Sequence, residues 1–185
     1  MKIALIGMMG SGKTELGRLL AASFGVDFFD LDHLIEERSR MKIAEMFRDF
    51  GEEHFRDLEG STLRVVAEGD APMVLGCGGG VVLRDSSRLV LKERFITVWL
   101  DVPLSELLRR LSKEREHRPL LLSDTWETDL KGIFRQREEF YRQTAAIHYR
   151  WQQDQPPEES ARIIENLIDA ERAESHQPEA RRPAL

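Results

Sequence analysis

The chain has 185 residues, of which 41% are hydrophobic and 32% are charged, and its formal net charge is -6. This length and balance are typical of one globular domain and exclude a largely disordered chain. The acidic charge provides no general field for nucleic acid, so nucleic acid is not expected as a partner.

The cysteine content and the N-terminal segment bear on the compartment in which the protein works. A single cysteine, Cys77, excludes an intramolecular disulfide and suits a reducing compartment. The apolar start at residues 3–6 is too short for the hydrophobic region of a signal peptide, and no run of about 18 apolar residues is present. We therefore expect a cytoplasmic protein without a membrane partner.

Hydrophobic periodicity predicts strands and helices in alternation. The predicted strands are residues 2–6, 26–29, 73–75, 95–100 and a stretch near 147–151. The predicted helices are residues 13–24, 34–40, 43–50, 52–67, a short helix that Ser86 caps and that reaches residue 92, a helix that Pro103 opens, residues 128–144, and a last helix through Ile168.

This alternation predicts an α/β fold, with a five-stranded parallel sheet covered by helices on both faces. In such sheets ligands bind beyond the carboxyl ends of the strands, and a glycine-rich turn, an aspartate pair and a glycine cluster all fall there. Residues 1–170 are predicted to form a single domain. The charged segment 171–185 contains prolines and has no periodicity, so it is predicted to be a disordered tail.

Residues 7–14 read Gly-Met-Met-Gly-Ser-Gly-Lys-Thr and satisfy the pattern G-x-x-x-x-G-K-[ST] between a predicted strand and a predicted helix. This pattern, the P-loop, turns backbone N–H groups inward around phosphates and adds the positive end of a helix. Lys13 is expected to reach the β- and γ-phosphates and the Thr14 hydroxyl to bind Mg²⁺. The phosphate cradle is then Gly10, Ser11 and Gly12, followed by Lys13 and Thr14.

Asp30 and Asp32 follow the second predicted strand, where side chains two residues apart can point the same way. One carboxylate can hold Mg²⁺ through water, and the other can accept a proton from a substrate hydroxyl. Alternatively, Asp32 caps the helix that follows. The spacing alone leaves both interpretations open.

Arg56 lies on a predicted helix with Glu59 three residues further on, and by pattern alone it is a solvated surface group. Phe47 and Phe55 are by periodicity core residues. The cluster of Gly78, Gly79 and Gly80 costs backbone entropy, which makes sense where a ligand or another backbone approaches closely. Cys77 beside it is expected to be a small buried side chain and not a nucleophile.

Two further arginines stand out. Helical phase places Arg137 with Ile133, Phe134 and Tyr141 on the core-facing side of its helix, where a charge needs a partner or a ligand. Arg118 lies in the polar, irregular segment 113–126, which suits a mobile lid that brings charge to a transferring phosphoryl group. By composition alone, an ordinary solvated loop is the favoured interpretation of that segment.

Taken in order, these motifs resemble those of the shikimate kinase family, over about residues 2–168. The motifs are Gly7-x-Met9-Gly10-x-Gly12-Lys13-Thr14, Asp30-x-Asp32 with Ile35-Glu36, Phe50-Gly51-Glu52-x-x-Phe55-Arg56-x-x-Glu59, Gly78-Gly79-Gly80, Arg118-Pro119-Leu120 and Arg137-x-x-x-Tyr141. The resemblance implies a P-loop kinase fold and transfer of the γ-phosphoryl group of MgATP to the 3-hydroxyl of shikimate, in aromatic amino-acid biosynthesis. It also implies that the protein is a monomer.

The resemblance further implies a role for each site residue. Asp32 would contact the ring hydroxyls, and Asp30 would lie in the Mg²⁺ shell through water. Arg56 and Arg137 would hold the shikimate carboxylate, helped by the glycines 78–80. Phe47 and Phe55 would line the ring pocket, within substrate-binding helices at about residues 33–67. Arg118 would contact the phosphates, and Arg110 would lie near the adenine. Lys13, Asp32 and Arg118 would be the catalytic residues.

The chain departs from the family in the loop after the last strand. That loop often carries a basic residue and a proline against the adenine, but here it reads Asp154-Gln155-Pro156-Pro157, without the basic residue. The alternatives are a P-loop kinase of another small acid such as gluconate, a nucleoside kinase, or a non-catalytic nucleotide-binding regulatory module. The last would show erosion at Lys13, Asp32 or Arg118, and none is eroded.

Overall fold

The computed structural model describes residues 1–113 and 124–175. Its strands are β1 (Lys2–Ile6), β2 (Asp27–Asp30), β3 (Met73–Gly76), β4 (Ile96–Asp101) and β5 (Ile147–Arg150). Its α-helices are α1 (Lys13–Phe24), α2 (Leu31–Ser39), α3 (Ile43–Glu68), α4 (Asp85–Arg94), α5 (Leu104–Leu111), α6 (Trp126–Thr144) and α7 (Pro157–Ser175), and a short 3₁₀ helix covers Val81–Leu83.

The five strands form one parallel sheet in the order β2-β3-β1-β4-β5, as the alternation predicted. The central strand β1 is buried on both faces, because alternate side chains enter two different cores. Ile3 and Leu5 pack with residues of α1 and α7, whereas Ala4 and Ile6 pack with residues of α2 to α6. Helices therefore cover both faces of the sheet.

This topology brings the loops that carry the candidate residues to one edge of the sheet. The turn after β1, the end of β2 and the segment after β3 all lie at carboxyl ends of neighbouring parallel strands. The register places Asp30 of β2 opposite Gly76 of β3, and Gly76 opposite Leu5 of β1. The candidate residues on these three segments are consequently side by side.

Several predicted boundaries are corrected. Ser86 does not cap α4, because the helix begins one residue earlier, at Asp85. The residue at the cap position is Arg84, and its side chain makes no cap hydrogen bond within the described part of the chain. Helix α7 continues to Ser175, so the segment predicted as tail begins with five helical residues; residues 176–185 lie outside the described part. Trp126 is buried and begins α6, which excludes it from a solvated lid.

Helix α3 is interrupted where the sequence predicted two helices. Gly51 has φ 80° and ψ 176°, a left-handed φ that favours glycine, and it separates the first half of α3 from the second. The first half carries Phe47 and the second carries Phe55, and their ring centroids are 4.8 Å apart.

Among the described helices, none is both long and apolar enough to cross a membrane.

Candidate active site

The loop between β1 and α1 has the shape that the P-loop pattern predicted. Gly12 adopts a left-handed conformation, with φ 88°, directly before α1, and within the described residues no side chain caps this helix. Lys13 begins the helix and folds back across the loop, where its Nζ donates to the carbonyl oxygens of Gly7 at 2.9 Å and Met8 at 2.7 Å. The loop therefore presents an uncapped helix N-terminus with a lysine beside it, which is an arrangement that binds phosphate.

Asp30 and Asp32 have different roles in the fold. Asp30 ends β2 and caps α2, because its Oδ1 accepts from the N–H groups of Asp32 at 3.0 Å and His33 at 3.4 Å. Asp32 lies in the first turn of α2, so the interpretation of Asp32 as the helix cap is wrong. Its Oδ1 is buried and has no hydrogen-bond partner among the described residues.

The surroundings of Asp32 favour a functional carboxylate. Burial raises its pKa, the nearby Asp30 charge adds to this, and Lys13 and Arg56 oppose it. A buried, unpartnered carboxylate oxygen is costly in a folded protein unless a ligand or water satisfies it. Buried carboxylates with a raised pKa and a charged partner are typical of functional sites.

Arg56 and Glu59 form a buried ion pair on the second half of α3. Arg56 is 8% exposed and Glu59 is 2% exposed, so the pattern-based interpretation of Arg56 as a surface group is wrong. Arg56 Nη1 donates to Glu59 Oε2 at 2.7 Å, and Nη2 donates to Glu52 Oε1 at 3.1 Å. Burial raises the pKa of Glu59, while the Arg56 charge offsets part of that effect. Glu59 Oε1 has no partner among the described residues.

The glycine cluster after β3 allows these charged groups to approach the backbone. A Cβ atom added to Gly80 would lie 2.3 Å from Arg56 Nη2, and one added to Gly78 would lie 2.7 Å from Asp32 Oδ1 and 3.3 Å from Glu59 Oε1. Only glycine leaves room for such contacts. Cys77 beside the cluster is buried, and burial raises the pKa of its thiol, which confirms the prediction that it is an unreactive core residue.

Helix α6 contributes Arg137 and Tyr141, which both contact Gly79 of the cluster. Arg137 is 7% exposed, as its helical phase predicted, and its Nε has no hydrogen-bond partner among the described residues. A Cβ atom on Gly79 would lie 3.5 Å from Arg137 Nη1. The Tyr141 hydroxyl donates to the Gly79 carbonyl at 2.5 Å. Phe47 and Phe55 pack beside this group, with the Arg56 guanidinium 5.0 Å from the Phe55 ring centroid.

Next to the P-loop lies a cavity of about 750 Å³ beneath α5 and the loop after β5. Arg110 connects the P-loop with this cavity. Its Nη1 donates to the Gly10 carbonyl at 3.1 Å, and its guanidinium lies 5.2 Å from the ring centroid of Trp151, which lines the cavity. Glu106 accepts from Arg109 and from Arg110, and these bonds lower its pKa to about 2. The sequence did not identify Glu106 and Trp151 as residues of this region. The signal for Glu106 was only its position four residues before Arg110, and the signal for Trp151 was only a bulky aromatic residue after the last strand.

Arg118 lies outside the described residues, as does most of the predicted lid segment. The other residues expected at the site are all described. The structure brings together the P-loop, Asp30, Asp32, Arg56, the glycines 78–80 and Arg137, and it places Phe47, Phe55 and Arg110 at the border of that group.

Comparisons with known proteins identify the family of this chain. The family model described as shikimate kinase matches residues 9–169. A shikimate kinase from Chromohalobacter salexigens is 43% identical over 145 residues, which are 78% of this chain and 79% of that protein. The solved structure of a shikimate kinase from Acinetobacter baumannii in complex with shikimate has a TM-score of 0.83 and 34% identity, covering 91% of this chain and 93% of that chain.

A more distant neighbour shares the fold alone. A deoxyadenosine kinase from M. mycoides is 16% identical with a TM-score of 0.59, covering 92% of this chain and all of that chain (100%). The five-stranded parallel sheet flanked by helices is thus that of the P-loop kinases. With a family model that spans most of the sequence and a relative of this identity, the chain belongs to the shikimate kinase family.

Proposed function

We propose that the protein is a shikimate kinase, which transfers the γ-phosphoryl group of MgATP to the 3-hydroxyl of shikimate and releases ADP and shikimate 3-phosphate. The observation that carries this proposal is a buried polar cluster beside the P-loop. Three of its atoms, Asp32 Oδ1, Glu59 Oε1 and Arg137 Nε, are buried without hydrogen-bond partners among the described residues. A polyhydroxylated carboxylate supplies the donors and acceptors that these atoms need.

The acceptor site divides into an end for charge and an end for hydroxyls. Arg56 and Arg137 present guanidinium groups against neighbouring glycines of the cluster, Gly80 and Gly79, and such planar forks match a carboxylate. Asp32 lies on the same cluster near Gly78 and within the electrostatic influence of Lys13. Asp32 therefore takes the proton of the attacking hydroxyl, or orients that hydroxyl, next to the donor phosphate. Phe47 and Phe55 form the apolar wall of the pocket.

The donor site consists of the P-loop and the cavity at α5. The N–H groups of residues 10–14 hold the phosphates, and Lys13 exchanges its contacts with the loop carbonyls for the β- and γ-phosphates. Arg110 and Trp151 border the region for the base, in place of the basic residue that this chain lacks at the loop after β5. Arg118, in the segment at about 113–126, is the proposed additional cation for the transferring group.

Mg²⁺ fits the residues that the chain provides. The Thr14 hydroxyl and the Asp30 carboxylate are hard oxygen donors, and Asp30 uses its Oδ1 for the helix cap, which leaves Oδ2 for a water of the metal shell. Among the described residues no group of three acidic, histidine or cysteine side chains forms a cage for a metal. This suits Mg²⁺, which is usually bound through phosphates, waters and one or two protein oxygens. When bound, it neutralises charge on the β- and γ-phosphates.

The test is a coupled ADP-release assay with shikimate, with gluconate and without an acceptor. We expect Mg²⁺-dependent ADP release with shikimate well above the other two reactions, and phosphorus NMR of the product should show a phosphate ester at the 3-position. Equal release in all three reactions would contradict the proposal. Faster turnover with gluconate would support the alternative kinase instead.

The same proposal extends to the state and place of the enzyme. We infer that it acts as a monomer in the cytoplasm, with ATP and shikimate as its partners and without nucleic acid. Light scattering coupled to size-exclusion chromatography tests the first point: a mass near the 21.4 kDa of one chain is expected. A mass near twice that value would contradict it.

A further inference from the structure

We propose that Tyr141 is a positioning residue that fixes the Gly79–Gly80 peptide for the acceptor and joins this loop to the P-loop. This inference rests on the proposed function, since it concerns how shikimate is held.

The Tyr141 hydroxyl lies between the donor loop and the acceptor loop. It donates to the Gly79 carbonyl oxygen at 2.5 Å, and the Met8 sulfur of the P-loop lies 3.7 Å from the Tyr141 hydroxyl oxygen. The side chain is fully buried. Burial raises the pKa of Tyr141 to about 12, with the charge of Arg137 in opposition, so the hydroxyl remains a donor throughout the neutral range.

Fixing one carbonyl fixes an N–H on the other side of the same peptide plane. The Gly79 carbonyl and the Gly80 N–H belong to one planar trans peptide, in which they point in opposite directions. In the described part of the chain, neither the Gly79 N–H nor the Gly80 N–H donates a backbone hydrogen bond. With the carbonyl held by Tyr141, the Gly80 N–H points away from the Tyr141 hydroxyl. Gly80 itself lies against Arg56, since a Cβ atom there would meet the guanidinium.

Glycine residues have little resistance to peptide rotation, so this loop needs an external constraint. Gly79 also touches the P-loop: a Cβ atom there would lie 3.4 Å from the Gly7 carbonyl oxygen and 3.5 Å from the Met9 nitrogen. The P-loop and the acceptor loop are therefore in direct contact at Gly79, with Tyr141 behind both. A change in one loop on binding nucleotide should be transmitted to the other through this contact.

The test is the variant Tyr141→Phe, which removes the hydroxyl and keeps the ring that stacks on Trp99 at 6.0 Å. The chain offers a matched control, because its second tyrosine, Tyr149, is also buried but lies in the core on the other face of the sheet. The Tyr149 hydroxyl has no hydrogen-bond partner among the described residues, so Tyr149→Phe removes the same group without removing a hydrogen bond.

We expect Tyr141→Phe to raise the KM for shikimate about 10-fold, because a buried carbonyl loses its donor and the loop loses its constraint. The Kd for ATP measured without shikimate should remain within about two-fold of the wild type, because the coupling does not act on nucleotide binding alone. Calorimetric titration of shikimate with and without ADP should show that ADP improves shikimate affinity less in this variant than in the wild type. Tyr149→Phe should leave the KM values and this coupling unchanged.

The outcomes separate the inference from the proposed function. Wild-type turnover of shikimate with an unchanged KM and unchanged coupling in Tyr141→Phe would overturn the inference alone, even if the thermal midpoint fell. Failure of the wild type to phosphorylate shikimate would overturn both. If Tyr141→Phe does not fold, NMR of the wild type decides: a protected hydroxyl proton on Tyr141 that shifts when shikimate is added supports the inference, and a freely exchanging one contradicts it.

Discussion

Replacing Gly80 by alanine should separate the stability of the fold from its activity. Gly80 has φ -95° and ψ -3°, a right-handed conformation that alanine adopts without strain. The added methyl carbon would, however, lie 2.3 Å from Arg56 Nη2, 2.4 Å from Nη1 and 2.5 Å from Cζ. Because ordinary contacts begin near 3.4 Å, the guanidinium must move by about 1 Å.

That movement should affect catalysis more than folding. The guanidinium is the far end of a side chain, so the methyl group displaces it without moving the backbone, and the loss of stability is limited to the weakened pair with Glu59. The displaced group would no longer keep both its 2.7 Å bond to Glu59 and its place beside the acceptor. A misplacement of about 1 Å at a positioned group can reduce the rate about 10²-fold, which corresponds to about 2.7 kcal/mol in kcat/KM for shikimate.

The assay is steady-state ADP release at varied shikimate and saturating ATP, together with thermal unfolding. The control is Gly132→Ala on α6, where an added Cβ atom meets nothing within 4 Å. The control should leave kcat/KM unchanged and stabilise the helix by about 0.5–1 kcal/mol. A Gly80→Ala enzyme with the kcat/KM of the wild type would refute the assignment of Arg56 to the acceptor site.

Three further predictions concern the charged residues around this cluster. Asp32→Asn should lower kcat about 10²–10⁴-fold while the Kd for MgATP measured by titration stays unchanged; a native rate would remove Asp32 from proton transfer. Arg137→Lys should raise the KM for shikimate about 10-fold or more, because an ammonium cannot reproduce the guanidinium fork; an unchanged KM would exclude Arg137 from the carboxylate site. Since burial raises the pKa of Glu59, its contribution to the stability of the ligand-free protein is fully present below the pKa of unfolded glutamate, about 4.3, and is lost as pH rises through the raised value. Thermal midpoints of the wild type and of Glu59→Gln should therefore converge or cross over this pH window, and a difference independent of pH would contradict the shift.

The architecture was predictable because it depends on local patterns. Continuous apolar runs such as residues 2–6 identified buried parallel strands, and the P-loop pattern identified the start of α1. Boundaries decided by side-chain hydrogen bonds were harder. The sequence offered Asp32 as a helix cap, but the helix begins one residue before it and Asp30 is the cap, which only the path of the chain at the end of β2 decides. Ser86 had the composition of a cap but lies inside the first turn of α4.

The burial of the site arginines was only partly predictable. Helical phase identified Arg137, because its apolar neighbours lie on the same helix. The environment of Arg56 depends on Gly80, which is distant in sequence and comes from the loop after β3, so no local pattern could reveal it. The contact of Arg110 with Trp151 likewise joins α5 to the loop after β5. The individual roles of these residues came from the family resemblance, and those roles stay predictions.

The charges in the cluster indicate how the two arginines share the work. Arg56 already pairs with Glu59 and Glu52, so its charge is largely balanced before an acceptor binds. Arg137 has no carboxylate within ion-pair distance in the described part of the chain, and its Nε is buried without a partner. We therefore expect an incoming carboxylate to gain most of its electrostatic stabilisation from Arg137, whereas Arg56, paired with two carboxylates, would supply geometry. Two different substitutions therefore test the two arginines. Arg137→Lys replaces the guanidinium itself, whereas Gly80→Ala leaves the Arg56 guanidinium unchanged and shifts its position.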